Sequence, residues 1–286
     1  MSFRVVVIKN RMKLDLKLNY MICRGEEEKR VYIPEISTLI LESTAISLTT
    51  GLISELIKNN VKIIFCDEKH NPEGELVKLY GNYHSTKRIM EQIEWNKRTK
   101  ALVWQKIIKR KIKMQIDFLD ELGLWEQSQL LKSYSYNLLP NDTTNREGHS
   151  AKVYFNAVFG NSFARRTESF VNTALNYGYS ILLSMINREI VKCGYLTQLG
   201  IWHKNEFNIF NLSCDLIEPF RILVDRIVYN LSTEDDYNRE LKEIVNKKVT
   251  IDNKSHYLEN AISIYCQSVF KALNTQNIEE VKFYEL

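Results

Sequence analysis

The chain has 286 residues with 44% apolar content, enough for one large domain or two modest ones with a filled core. No apolar run approaches the roughly 18 residues a membrane span needs, and the opening Met1-Ser2-Phe3-Arg4-Val5-Val6-Val7-Ile8 is too short for the apolar region of a signal peptide. A soluble, cytoplasmic protein without a membrane partner is expected. Net charge is a mild +4, and the five dispersed cysteines contain no Cys-x-x-Cys pair, which fits reduced thiols and argues against structural zinc.

The first eighty residues read as strands. Arg4 to Lys9 is a β-branched run, and Lys13 to Ile22 alternates, with Leu14, Leu16, Leu18, Tyr20 and Ile22 on one face. Further strands are expected at Arg30–Ile33, Leu39–Leu41, Val61–Cys66 and Leu76–Tyr80, with a short helix over Thr50–Lys58. After Tyr83 helical spacing takes over. Ser85 to about Leu122 reads as two helices or one broken one, followed by Trp125–Leu138, a polar turn at Asn141–Asn145, and helices over Arg146–Phe159, Glu168–Lys192 and Ser255–Ala272. The fold class is therefore α+β: a small β-rich N-terminal domain over 1–83, then a larger all-helical domain over 84–286.

From Lys87 to Lys113 the chain carries ten Lys or Arg against only Glu91 and Glu94. Such a run is either a solvated helix face or a nucleic-acid surface. Trp95 and Trp104, interleaved with it, make the second reading a fair competitor to the first, because lysine and arginine neutralise phosphates while aromatic rings stack on unpaired bases.

A different pattern points to chemistry. His203, in Gly200-Ile201-Trp202-His203, precedes Asp215 and Glu218, which are three residues apart and share a helix face. With Glu147 upstream, these oxygen and nitrogen donors suit a divalent cation. Each also has a structural explanation. Thr144-Asn145-Arg146-Glu147 matches a capping box, Asp215 with Glu218 can cap a helix imperfectly because of Pro219, and His203 beside Trp202 is equally an ordinary packed imidazole.

The flanking segments Glu147-Gly148-His149-Ser150-Ala151-Lys152-Val153-Tyr154-Phe155, Phe163-Ala164-Arg165-Arg166, Leu175-Asn176-Tyr177-Gly178-Tyr179, Gly200-Ile201-Trp202-His203 and Asp215-Leu216-Ile217-Glu218-Pro219-Phe220-Arg221 occur in order. Together they resemble the CRISPR-associated integrase, the catalytic subunit of the spacer-acquisition machinery. The resemblance implies a helical catalytic domain whose catalytic metal ligands are Glu147, His203 and Glu218, with Asp215 in support, and Mg²⁺ or Mn²⁺ as the ion. It departs from the family pattern at Ile222, where a proline often follows Phe-Arg.

The activity implied is joining of the 3′-OH ends of short DNA fragments to phosphodiesters at a CRISPR repeat. Expected partners are double-stranded DNA, a second copy of this chain in a homodimer, and a small companion subunit bridging two dimers. Lys87, Arg88, Arg165, Arg166 and Arg221 are the candidates for phosphate contacts, with His84 and Gln92 as further ones. A stand-alone structure-selective nuclease and a non-enzymatic DNA-binding adaptor are the competing readings.

Overall fold

The computed structural model describes residues 4–68, 72–76, 78–79, 85–231 and 237–286. The chain divides into two compact units, Met1–Tyr83 and His84–Leu286. The first is strand-rich and the second mostly helical, as the α+β pattern predicts.

In the first unit β1 (Arg4–Ile8), β5 (Ile36–Leu41), β7 (Lys62–Cys66) and β8 (Pro72–Leu76) form one sheet in the order β1-β5-β7-β8, parallel except for β8. Every residue of β5 is buried, as befits a central strand. A second sheet has the order β4-β3-β2-β6, from β4 (Glu28–Tyr32), β3 (Tyr20–Arg24), β2 (Met12–Lys17) and β6 (Ile46–Leu48). The core of this unit gathers Leu14, Met21, Ile33, Ile36, Leu39 and Ile63 with Leu52 and Leu56 of helix α1 (Thr50–Lys58).

Two strand expectations need correction. Lys13–Ile22 is not one strand but the hairpin β2–β3, because Leu18 and Asn19 adopt left-handed φ of 48° and 63° and turn the chain. Alternation runs straight through such a turn, so Leu16, Leu18 and Tyr20 are exposed whereas Leu14 is buried. The strand expected at Leu76–Tyr80 is β8, which ends at Leu76; Val77 and Tyr80 lie outside the described residues.

The second unit is built on three long helices, α3 (Lys97–Glu121), α6 (Phe170–Lys192) and α10 (Leu258–Thr275). Around them pack α2 (Ser85–Ile93), α4 (Trp125–Tyr136), α5 (Arg146–Phe159), α7 (Asn211–Leu216), α8 (Arg221–Tyr229) and α9 (Tyr237–Lys242). Asn96 caps α3 by accepting from the amides of Arg98 and Thr99, at 2.9 and 3.1 Å, which separates α2 from α3. Helices α6 and α8 approach closely at Gly178, where an added Cβ would lie 2.5 Å from Val224 Cγ1.

The unit is not wholly helical. Strands β9 (Lys248–Ile251) and β10 (Lys254–Tyr257) form a hairpin, so α10 starts at Leu258 rather than Ser255. The chain's last residues return to this unit. Glu285 exchanges backbone bonds with Thr250, and buried Tyr284 stacks on Phe220 and donates its hydroxyl to the Pro219 carbonyl at 2.8 Å.

Candidate active site

Glu147 sits in the first turn of α5, where the sequence suggested a capping box. The cap is instead Asp142, whose two carboxylate oxygens accept from the amides of Arg146 (2.6 Å) and Glu147 (2.9 Å). Asn145, at the N-cap position, is left-handed and makes no side-chain cap bond. With the orphan amides satisfied from outside the helix, the Glu147 side chain is free to leave it, and it accepts a hydrogen bond from the Lys111 ammonium.

Asp215 lies within α7 and is fully buried, so it is not an N-cap. Its Oδ2 accepts from the amides of Ile201 (2.6 Å) and Trp202 (3.0 Å), and its Oδ1 from the amide of His203 (3.2 Å) and pairs with His203 Nδ1 at 2.6 Å. A carboxylate enclosed by three backbone donors is acceptor-only, so the fourth contact assigns a proton to His203 Nδ1 and, in the neutral imidazole, leaves the lone pair on Nε2. Gly200 is required here. A Cβ at that position would fall 2.4 Å from the His203 carbonyl oxygen and 2.8 Å from Asp215 Oδ2.

The imidazole packs edge-on against Trp202 and Trp104, whose indoles stack at 5.1 Å. Trp202 Nε1 donates to the Asn141 carbonyl at 3.2 Å, tying the histidine loop to the loop that precedes α5. Burial lowers the His203 pKa, but the hydrogen bond and charge of Asp215, with the field of Glu218, raise it above the ordinary value overall.

Glu218 opens the short turn Glu218–Phe220 between α7 and α8, where Pro219 costs no helical bond because it stands at the start of the turn. Its Oε1 accepts from Arg221 Nε at 2.9 Å, and its Oε2 lies 2.5 Å from Lys111 Nζ. Burial raises the Glu218 pKa, yet Arg221 and Lys111 outweigh it and hold the carboxyl down at about 2. Lys111 shows the mirror effect: burial lowers its pKa, while Glu147 and Glu218 lift it above the ordinary lysine range.

Glu147 and Glu218 therefore converge, but on an ammonium. Among the described residues no three or more His, Cys, Asp or Glu stand together as a metal-binding group, so the expected cluster of Glu147, His203 and Glu218 is not assembled as such. The reason is electrostatic: two carboxylates brought together need a cation, and Lys111 is the one the fold supplies. The donor chemistry nonetheless fits a divalent ion. The site already holds a positive charge between two carboxylates. Glu218 Oε2 has no well-formed hydrogen bond among the described residues, and His203 Nε2 retains its lone pair.

Lys111 lies within the basic run, where composition alone reads it as one more surface charge. Its signal was its place on the apolar stripe of α3, with Trp104, Ile107, Ile108 and Gln115 at helical spacing. Much of that run turns inward. Lys100 Nζ donates to the Gly200 carbonyl, Lys106 to Ile278, and Arg110 to Tyr284. Trp95 and Trp104 are buried, with Trp95 Nε1 bonded to Asn274, so neither is placed to stack on a base.

Of the phosphate-contact candidates, Lys87 and Arg166 are exposed. Arg88 pairs with Glu91 at 2.8 Å, Arg165 bonds Asn172 and Asn176, and Arg221 is committed to Glu218 and lies over the Tyr179 ring. Gln92 is buried and bridges the backbone of Leu196 and Leu199, whereas His84 lies outside the described residues. A cavity of about 450 Å³ opens beside His203, lined by Lys100, Lys204, Gln198, Asn205 and Asn208 among others. At its edge the bonds that Asn205 and Asn211 make to the backbone hold a loop from which Phe207 projects, 86% exposed.

Residues 5–258 match the family model described as CRISPR associated protein Cas1, and the chain belongs to that family. It is 30% identical to a CRISPR-associated endonuclease Cas1 of Neisseria meningitidis, over 100% of this chain and 97% of that one. A Francisella tularensis subsp. novicida relative of the same description is 23% identical, over 90% and 89% of the two chains. Among solved structures, a Cas1 protein from Thermotoga maritima superposes with a TM-score of 0.72 at 16% identity, covering 94% of this chain and 97% of that one. A casposase bound to integration product gives 0.74 at 19% identity, covering 96% and 91%.

Proposed function

We propose that this chain is a divalent-metal-dependent DNA integrase that joins the 3′-OH of a short DNA fragment to a phosphodiester at the edge of a CRISPR repeat. The observation that carries this reading is the convergence of Glu147 and Glu218 on one cation beside an imidazole whose tautomer Asp215 fixes. Membership of a family whose relatives are named endonucleases supports it, as does the fold shared with a casposase bound to integration product.

In this reading Glu147, Glu218 and His203 Nε2 hold Mg²⁺ or Mn²⁺. When bound, the ion supplies Lewis-acid stabilisation of charge on the phosphate and the reacting oxygens. The chain's own residues prepare the site. Arg221 fixes the Glu218 rotamer, Asp215 holds His203 in the tautomer that presents Nε2, and Asp142 turns Glu147 out of its helix. The incoming 3′ oxygen forms one bond to phosphorus while the repeat strand's 3′ oxygen departs, so the number of phosphodiesters is unchanged and no nucleotide is hydrolysed. The cavity beside His203, with Lys100 and Lys204 in its wall, has the polarity to receive a DNA strand.

Joining both ends of one fragment to two strands takes two such sites, hence a homodimer. A companion subunit spanning two dimers sets their separation; in support, this chain matches the fold of 35% of one chain in a solved Cas6-RT-Cas1–Cas2 complex, at a TM-score of 0.76. The reaction belongs to the cytoplasm, where the target DNA lies.

The test replaces Glu147, His203 and Glu218 singly by alanine and follows transfer of a labelled fragment into repeat DNA with Mn²⁺ or Mg²⁺ and the companion subunit. Loss of joined product in each variant is expected. Undiminished joining by all three refutes the assignment, and shortened strands without new joints would make the chain a nuclease.

A further inference from the structure

The divalent site proposed above has a resident occupant, and the inference drawn here rests on that reading. Lys111 projects from the apolar stripe of α3 and is 8% exposed, an unusual position for a lysine. Its ammonium contacts Glu147 Oε1 and lies 2.5 Å from Glu218 Oε2. Glu218 has a second cation, Arg221, on its other oxygen. Two carboxylates and two cations thus balance without any ion. Asp215 cannot add a third carboxylate ligand, because Oδ1 is engaged by His203 and Oδ2 by two backbone amides.

We propose that Lys111 is an internal counter-ion that competes with the divalent cation for Glu147 and Glu218. It keeps the two carboxylates together when no ion is bound. Once displaced, it is the positive charge available to pair with a phosphate oxygen of the DNA. A site of this kind has one divalent ion per chain, with the second cationic role filled by a side chain. It binds the ion more weakly than its donor set alone would, because a buried ion pair must first be opened.

The measurement is Mn²⁺ binding, followed by the loss of the free-ion electron paramagnetic resonance signal, in wild type, Lys111→Gln, Lys111→Met, Lys111→Arg, and the alanine variants of Glu147, His203 and Glu218. Wild type is expected to bind one ion per chain. Lys111→Gln and Lys111→Met should bind it at least 10-fold more tightly and Lys111→Arg within about threefold of wild type, since only the first two remove the competing charge. At saturating Mn²⁺, Lys111→Gln should still join fragments at least 10-fold more slowly.

A neutral variant that folds only when Mn²⁺ is present supports the proposal in stronger form; one that stays unfolded at millimolar Mn²⁺ overturns it. Unchanged or weaker Mn²⁺ affinity in both neutral variants also overturns it, and wild-type joining by Lys111→Gln removes the phosphate role. If Mn²⁺ binding survives loss of Glu147, His203 and Glu218 alike, the site itself is wrong and this inference falls with it. If binding needs those three but the neutral variants do not tighten it, the Lys111 proposal alone fails.

Discussion

Asp215→Asn isolates the residue on which the histidine loop depends. The carboxylate accepts four hydrogen bonds, three from consecutive backbone amides and one from His203 Nδ1. Asparagine keeps one oxygen, able to serve Ile201 and Trp202, and turns an NH₂ donor toward the amide and ring nitrogen of His203. Two bonds to a charged acceptor, worth about 2 kcal/mol each, are lost, and the two that remain weaken by about 1 kcal/mol each. Relief from burying an ionised carboxylate offsets several kcal/mol of this, leaving a net destabilisation of about 2–4 kcal/mol.

The chemical effect is sharper than the stability effect. To accept from the new amide, the imidazole must carry its proton on Nε2, which removes the lone pair proposed to hold the ion. Loss of such an orienting partner costs roughly 10–100-fold in metal affinity. Three readouts check this: urea unfolding, ¹⁵N shifts of the His203 ring, and Mn²⁺ affinity. The pH dependence has a definite sign too. Because the folded-state pKa of His203 is raised, its stabilising contribution is full below the unfolded value near 6.5 and is lost as pH rises through the folded value. Asp215→Asn should abolish that slope. A variant with an unchanged tautomer and Mn²⁺ affinity within twofold of wild type would refute the reasoning.

Three further outcomes follow from the same geometry. Asp142→Ala uncaps α5 and should cost about 1–2 kcal/mol in chemical denaturation, with Asp142→Asn retaining part of it because asparagine still accepts and tolerates the left-handed φ of 47°. Gly200→Ala, whose Cβ meets the His203 carbonyl and Asp215, should leave circular dichroism near wild type yet reduce joining at least 10-fold. Asp225 is buried on α8, and burial pushes its pKa up to about 6 against the hydrogen bond it accepts from Tyr179 and the influence of the Tyr154 hydroxyl. An acid with a raised folded pKa favours the folded state at low pH, and that benefit declines from about pH 4 to pH 6. At about 1.4 kcal/mol per unit the loss is about 2–3 kcal/mol, so Asp225→Asn should flatten the stability curve across this interval.

The residue patterns carry the alternation of the first unit and the long helices of the second, because burial periodicity is local. What escapes them is set by contacts distant in sequence. Thr144-Asn145-Arg146-Glu147 has the spacing of a capping box, but three left-handed residues, Asn141, Asp142 and Asn145, fold the preceding loop back so that Asp142 takes over the amides. Asp215 looks like a possible helix cap because its partners, twelve to fourteen residues upstream, leave no periodic trace. Among the described residues, the region between Lys192 and Leu258 contains three short α-helices and a hairpin, each too brief for its pattern to stand above noise. Lys111 hides among surface lysines by composition while sharing the phase of buried isoleucines. Charge counts and helical phase pointed in opposite directions there, and phase was right.

The return of the chain's last residues has a practical bearing. Tyr284 grips the carbonyl of Pro219, the residue next to Glu218, while Arg110, one position from Lys111, donates to the Tyr284 carbonyl. Tyr284 therefore braces both arms of the counter-ion pair, its hydroxyl next to Glu218 and its carbonyl next to Lys111. Trimming or re-engineering residues 281–286 would loosen the carboxylate without touching it, so the rigidity of the site depends on residues remote from it in sequence.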